Sequence, residues 1–450
     1  MLFGRWEIAR KPPLLSSKSQ INKMISKPAL IIEKSKIFCQ RCGQKTSKKR
    51  ASLPKEKYYC PQCLNFGRIT SLDTLYTISE PNFFSVPEMI LTWLGELSPY
   101  QQKSAQHLMK VVNNNETFLL WAVTGAGKTE ILFPALAHAL EQKKRVCIAS
   151  PRIDVCNELY PRLKAAFSQI TITLLHGQQK QKYQYTQLVI CTTHQLVRFN
   201  AAFDILIIDE VDAFPFRNDH LLEFAVKTAR KRKSALIMLT ATPTKKLLQK
   251  AGKGVFSFDY LPLRYHGAPL PQPQVFCETW KKNIQQEKIS IRLKRIFADW
   301  EKQGYPFLIF VPRINLLKPI FRIVRQNLKE DIKGTTVHAS DEHRIEKIEK
   351  MRSGYFRYLV TTTILERGVT FPFLNVLVLG ADDEIFTRAV LVQIAGRVGR
   401  NKKRPTGDVF FICEMQNKEV KEACRQIAFV NRKGAVLKNE TMSSLPKKNS

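Results

Sequence analysis

Short apolar runs separated by polar, helix-patterned stretches recur along most of the chain. FLLWAV, RVCIAS, ITITLL, LVICTT, DILIIDE and SALIMLTAT fill the first half. Runs this brief, bounded by turn residues and alternating with helical patterns, predict strands of a parallel sheet. The alternation returns in YPFLIFVP, TTVHAS, RYLVTTT, NVLVLG and GDVFFIC, with helical stretches such as IEKIEKMRSG and TRAVLVQIAGRVGR between them. Two α/β domains in tandem are expected, over 98–255 and 286–435. Pro262, Gly267, Pro269, Pro271 and Pro273 crowd the segment between them, which marks 256–285 as a linker. Ahead of the first domain, Pro12, Pro13 and scattered Ser and Lys predict an extended or partly ordered leader over 1–35. A connector over 71–97 and a tail over 436–450 complete the division.

A length of 450 residues accommodates two large domains and an appendage, and 44% hydrophobic residues exclude a wholly disordered chain. No run of eighteen apolar residues occurs, so no transmembrane segment is expected. The opening MLFGRWEIARKPP lacks the apolar core of a secretion signal, and a cytoplasmic location follows as an expectation. Charge changes the picture most: 72 Lys and Arg against 38 Asp and Glu leave +34. Such a field predicts a polyanionic partner, and nucleic acid and an anionic membrane surface both fit it. Residues 1–80 share in the excess, with 16 basic and 5 acidic side chains.

The strand-like FLLWAV runs into Ala122-Val-Thr-Gly125-Ala126-Gly127-Lys128-Thr129, and the helical ILFPALAHALEQ follows. A tight loop with two glycines lets backbone N–H groups wrap a phosphate, the helix start adds positive dipole, and Lys128 reaches the outer phosphates. Thr129 is the candidate magnesium ligand. Ala122 replaces the first glycine of the usual pattern. A second apolar run, DILIIDEVD, ends in Asp209, Glu210 and Asp212. Asp209 is expected to hold Mg²⁺ and Glu210 to polarise the attacking water. In the second domain, Gln393-Ile-Ala-Gly396-Arg397-Val-Gly399-Arg400 supplies two arginines three positions apart. That spacing predicts one helical face from which planar, permanently charged donors reach a phosphate, with ATP in a cleft between the domains.

Cys39-Gln-Arg-Cys42 and Cys60-Pro-Gln-Cys63, separated by 17 residues, have the spacing of a four-thiolate Zn²⁺ site over 36–70, with Gly43 serving the turn after the first pair. A redox dithiol or a pair of disulfides ranks below it. Arg41, Lys45, Lys48, Lys49, Arg50, Lys55 and Lys57 make this module a candidate DNA contact; Tyr58 and Tyr59 are expected buried or half-buried beside it, with stacking on bases the alternative. The larger domains are expected to have cores of their own, independent of this module. Cys147, Cys191 and Cys413 lie in apolar runs and read as buried thiols, while Cys156, Cys277 and Cys424 suggest no role.

Together these segments resemble the superfamily 2 helicase-like ATPases, whose two RecA-like P-loop domains are each a parallel sheet flanked by helices. Ser150-Pro151-Arg152 is similar to their motif Ia, Thr192-Thr193-His194-Gln195 to Ib, Thr240-Ala241-Thr242 to III and Thr361 through Thr370 to V. LSPYQQ resembles an adenine-recognising element, with Gln101 or Gln102 in that role, and Gln393 is a further nucleotide-binding candidate. The resemblance implies coupling through Thr240 and Thr242, and strand contacts from Arg152, Thr193, and Thr362 or Thr363. Motif V ends in Thr370 where many relatives have Asp. A four-cysteine module before the motor, together with DEVDAFPF, resembles the ComFA family of competence ATPases in Gram-positive bacteria.

That resemblance implies an ATP-dependent motor on single-stranded DNA that assists uptake of transforming DNA. It also implies late-competence proteins and the membrane channel through which DNA enters as partners, and a position at the inner face of the membrane. A primosome-like duplex-unwinding helicase and an ATP-gated DNA scaffold that hydrolyses little are the alternatives.

Overall fold

The computed structural model describes residues 2–14, 22–177, 183–213, 216 and 219–444. Phe214 and Pro215 of DEVDAFPF, together with Met1, 15–21 and 445–450 of the leader and tail, lie outside the described residues. Two units are present, 1–121 with 128–259 and 122–127 with 260–450.

Among the described residues the first unit starts with eight short strands: β1 (Glu7–Ala9), β2 (Met24–Pro28), β3 (Leu30–Ile32), β4 (Lys36–Cys39), β5 (Lys45–Ser47), β6 (Ser52–Leu53), β7 (Lys57–Tyr58) and β8 (Thr74–Ile78). β1 and β2 flank β8 in an antiparallel sheet, β3–β4–β5 form a second, and β6 pairs with β7. The segment expected as an extended or partly ordered leader contributes β1, β2 and β3. It is also tied to the larger domain, since Trp6 N donates to Arg198 O at 2.8 Å and Asn200 N to Gly4 O at 2.9 Å.

The large sheet of this unit comprises β9 (Thr117–Ala122), β10 (Val146–Ser150), β11 (Ile172–Leu175), β12 (Leu188–Thr192), β13 (Phe203–Ile208), β14 (Arg230–Thr240) and β15 (Ser257–Leu261), in the order β11-β12-β10-β13-β14-β9-β15. The pairings from β11 across to β9 are parallel. β10 and β12 are buried along their whole length, so their sequences show continuous apolar runs without alternation. Crossover strands place the ends of β9, β10, β12, β13 and β14 together at the carboxyl edge, where ligands bind in open α/β sheets.

One apolar cluster joins the cysteine module to this sheet. It runs from Ile37, Cys39, Cys42, Cys60, Cys63 and Ile69 to Val197, Phe199, Leu206, Leu222 and Ala225. The Phe38 and Phe224 rings meet edge to face at 6.4 Å, and Phe66 stacks on His194 at 5.4 Å. The expectation of independent cores does not hold for this pair, because aromatic side chains outside the CxxC motifs weld them together. A buried ion pair adds to the union: Arg145 Nη1 lies 2.5 Å from Glu80 Oε2, both side chains fully buried, and Arg145 also donates to Phe3 O at 3.1 Å.

The second unit has six parallel strands, β16 (Gln274–Cys277), β17 (Phe307–Phe310), β18 (Gly334–Val337), β19 (Tyr358–Thr361), β20 (Asn375–Leu379) and β21 (Val409–Cys413), ordered β16-β21-β20-β17-β19-β18. Its core includes Trp280, Phe297, Trp300, Phe307, Tyr358 and Phe410. A helix over Lys418–Ser444 continues through most of the segment expected as a tail. The proline-rich segment 256–285 supplies β15 to one sheet, β16 to the other and a short helix over Trp280–Gln285; buried Leu261, Leu263, Leu270 and Trp280 hold it in place. Among the described residues, no helix is long and apolar enough to cross a membrane.

Candidate nucleotide site and four-cysteine centre

β9 ends at Ala122 and the helix Lys128–Glu141 begins directly after the loop, with Lys128 half-buried and Thr129 buried. Gly125 and Gly127 have φ of +80° and +75°, the left-handed region that residues with a Cβ avoid. The glycine spacing in the sequence thus corresponds to a backbone turn that needs it. The two glutamines before this loop differ: Gln101 is buried and its Oε1 accepts from Ser98 N at 2.8 Å in a capping box, whereas Gln102 is exposed.

Asp209 and Glu210 follow β13, and Glu210 N donates to Asp209 Oδ1 at 2.9 Å. Glu210 has φ +57°, a left-handed conformation that costs a non-glycine residue about 1 to 3 kcal/mol and clusters at functional sites. Two residues on, buried Asp212 accepts from the hydroxyls of both coupling candidates, Thr240 Oγ1 at 2.5 Å and Thr242 Oγ1 at 2.7 Å. Thr242 N donates to Thr240 Oγ1 at 3.0 Å, closing a knot between the ends of β13 and β14. Asp212 was legible only as an acid at a strand end; its two hydroxyl partners lie 28 and 30 residues away.

Arg152 is half-buried at the start of the helix Ile153–Ala166. Thr193 is fully buried at the head of a 3-10 turn, so its hydroxyl does not face solvent. In the second unit Thr362 is 8% exposed and Thr363 half-buried after β19.

The helix carrying Gln393 ends at Ala395. Arg397 and Arg400 therefore lie in the turn that follows, which corrects the expectation that they share a helical face. The helix stops where Gly396 meets the loop 122–127: a Cβ on Gly396 would stand 1.9 Å from Thr124 Oγ1. Arg397 is buried and donates to Val369 O, while Arg400 bonds Gly396 O at 3.1 Å and Thr370 Oγ1 at 3.4 Å. Thr370, the departure from the usual Asp, thus has an arginine partner. Sequence reasoning missed Arg264, placed in the supposed linker. It is 2% exposed, and its guanidinium donates to Gly399 O and Val398 O, each at 2.7 Å. His266 Nε2 lies 3.0 Å from Gly399 O. The only signal for these two was a basic pair amid prolines.

The four motif cysteines are buried and their sulfurs lie within 4.8 Å of one another, Cys39 to Cys63 at 3.7 Å and Cys42 to Cys60 at 3.6 Å. A tetrahedron with Zn–S of about 2.3 Å has edges of about 3.8 Å, so the donor set fits Zn²⁺. Gly43 turns the first knuckle with φ +73° and leaves room for the Phe224 ring, which a Cβ would approach to 2.4 Å. Arg41 is not a surface DNA contact: it is 1% exposed and donates to Cys63 O at 3.3 Å and Gly67 O at 2.8 Å. It bridges the two knuckles. Lys45, Lys49, Arg50, Lys55 and Lys57 remain exposed, and Tyr58 and Tyr59 are half-buried.

The DEAD/DEAH box helicase family matches residues 98–250, and the helicase conserved C-terminal domain matches residues 287–402. The solved structure of S. cerevisiae Dbp5 bound to RNA and ADP BeF3 has the same fold, with TM-score 0.54 and 16% identity, covering 74% of this chain and 91% of that one. These two RecA-like domains make the chain a superfamily 2 helicase-like ATPase, a class that uses ATP and Mg²⁺. The competence protein ComFA N-terminal domain matches residues 5–77. Competence protein ComFA of Bacillus subtilis is 43% identical over 90% of this chain and 88% of its own length; that of Streptococcus pneumoniae is 40% identical over 91% and 94%. The chain belongs to the ComFA family of competence proteins.

Proposed function

We propose that this chain is a DNA-stimulated ATPase that moves along, or draws in, single-stranded DNA during natural competence. Membership of a competence family combined with a +34 charge on a helicase motor carries the reading. The motor occupies 98–255 and 286–435 and the zinc module 36–70. The chain works at the inner face of the membrane beside late-competence proteins and the DNA-conducting channel.

The backbone of Gly125, Ala126 and Gly127 wraps the phosphates of ATP and Lys128 reaches the outer ones. Thr129 and Asp209 hold Mg²⁺, which neutralises charge developing on the phosphates. Glu210 orients the attacking water, and its strained backbone supports that role. Gln101 or Gln102 reads the adenine, Gln393 adds a polar contact, and Arg397 and Arg400 supply guanidinium donors. Asp212 passes the state of the Asp209–Glu210 turn to Thr240 and Thr242. Arg152, Thr362 and Thr363 contact the DNA backbone, and Thr193, being buried, shapes the turn beside it. Cys39, Cys42, Cys60 and Cys63 bind structural Zn²⁺.

ATP turnover with and without single-stranded DNA, alongside strand displacement on the same preparation, tests the reading. Turnover raised by DNA without duplex separation is expected. Efficient unwinding points to a helicase, and turnover indifferent to DNA to a scaffold.

A further inference from the structure

Arg264 is an unusual cation. It is 2% exposed, and among the described residues it forms no ion pair with a carboxylate. Among the described residues its hydrogen bonds go to the neutral carbonyls of Gly396, Val398 and Gly399, and its buried Nε finds no partner there. The charge that acts on it is that of another cation, Arg400. Burial first and Arg400 second push its pKa down to about 9, the direction expected of a positive charge that lacks an anion.

Its surroundings are those of the phosphate loop. The Arg264 stem lies on Gly125, with Cγ 3.6 Å and Nε 3.8 Å from where a Cβ would stand. Tyr265 N donates to Gly125 O at 2.9 Å, and Val123 N donates to Leu261 O at 3.1 Å. A second orphan sits in the loop itself: the Thr124 hydroxyl is buried and makes no hydrogen bond among the described residues. A cation without a counter-charge and a donor without an acceptor thus border one turn. Burying either without compensation is costly, and an anion supplies what both lack.

We propose that Arg264 is a positioning residue for the nucleotide: it clamps the arginine-bearing turn 396–400 onto the phosphate loop, and the phosphates of bound ATP or ADP provide its missing counter-charge. This rests on the reading of 124–129 as the phosphate loop. The clamp spans three separate segments, 122–127, 260–267 and 396–400, so nucleotide occupancy stiffens all three together. Bound phosphate also offsets the repulsion between Arg264 and Arg400.

The test uses the full chain, with Arg264→Gln removing the charge but keeping a donor, and Arg264→Lys keeping the charge with fewer donors. Affinity for a fluorescent ADP, turnover of ATP and the thermal midpoint are measured for each. Arg264→Gln should weaken ADP binding by about tenfold to a hundredfold, the range for a buried charge-assisted contact, and Arg264→Lys should recover most of it. A merely structural clamp would lower the thermal midpoint in both variants with no recovery of affinity by lysine, and that pattern overturns the proposal. So does ADP affinity within about twofold of wild type in Arg264→Gln. If Arg264→Gln does not fold, hydrogen exchange on the wild type decides: ADP should slow exchange of the Tyr265 amide, and an unchanged rate overturns the idea. Lys128→Ala separates the two levels. Normal ADP binding in that variant defeats the phosphate-loop reading itself, whereas loss of binding there with none in Arg264→Gln defeats only the role of Arg264.

Discussion

Replacing Asp212 by alanine takes one buried acceptor away from two hydroxyls, those of Thr240 and Thr242. Hydrogen bonds to a charged group contribute about 1.5 to 3 kcal/mol each, so losing both should cost the first unit about 3 to 6 kcal/mol. At a urea dependence of about 3 kcal/mol/M, the unfolding midpoint falls by about 1 to 2 M. Thr242→Val removes one of the two bonds and should cost about half as much. Asp212→Asn is the finer probe. Its carbonyl still accepts from one hydroxyl, and the other hydroxyl can rotate to accept from its amide, so it should lie nearer wild type than alanine does. Tryptophan fluorescence is a suitable readout, because Trp121 Nε1 donates to Ala241 O at 3.2 Å, between the two threonines. A midpoint for Asp212→Ala equal to wild type, or an asparagine variant as unstable as alanine, refutes the reasoning. Under the proposed coupling, Thr242→Val also keeps basal ATP turnover and loses the increase that DNA brings.

Four further outcomes are expected. Glu210→Gln should bind ATP and not turn it over, whereas Glu210→Gly should be equally inactive yet more stable by about 1 kcal/mol in urea melts, since glycine accepts φ +57° without strain. Cys39→Ala or Cys63→Ala should abolish bound zinc by elemental analysis and also lower the melting midpoint of the first unit, because the module shares its core. Glu80→Gln leaves the buried Arg145 without its counter-charge and should cost about 3 to 5 kcal/mol in equilibrium unfolding. Binding of single-stranded DNA should weaken with salt at a logarithmic slope of about 0.7 per neutralised phosphate, measured by anisotropy titrations at several ionic strengths.

The sheets were legible because strands buried on both faces must be continuously apolar; Leu188–Thr192 and Asn375–Leu379 announce themselves without alternation. The turn after β9, the candidate phosphate loop, was legible because its backbone requires glycine at two positions. What stayed hidden depends on contacts between distant segments. The helix before Arg397 ends at a close approach between Gly396 and Thr124, 272 positions apart, which helical periodicity does not encode. Arg41 looks like one more surface cation in a basic stretch, and only the fold reveals that it faces carbonyls at Cys63 and Gly67. Arg264 was obscured by the prolines around it. Proline content marks irregular backbone, and irregular backbone can still be buried and hydrogen-bonded.

The welding of the cysteine module to the first large sheet also sets an order of events during synthesis. Cys39 through Cys63 leave the ribosome well before His194 and Phe224, on which Phe66 and Phe38 come to rest. At about 5 to 20 residues per second, the gap between Cys63 and Phe224 lasts roughly 8 to 32 seconds. Throughout that interval the knuckles have no aromatic platform, and under the proposed Zn²⁺ site metal capture would keep the four thiols together and away from oxidation. If the proposed Zn²⁺ fills this site, a shortage of zinc is felt first by the nascent chain, before the sheet that carries His194 and Phe224 has been made.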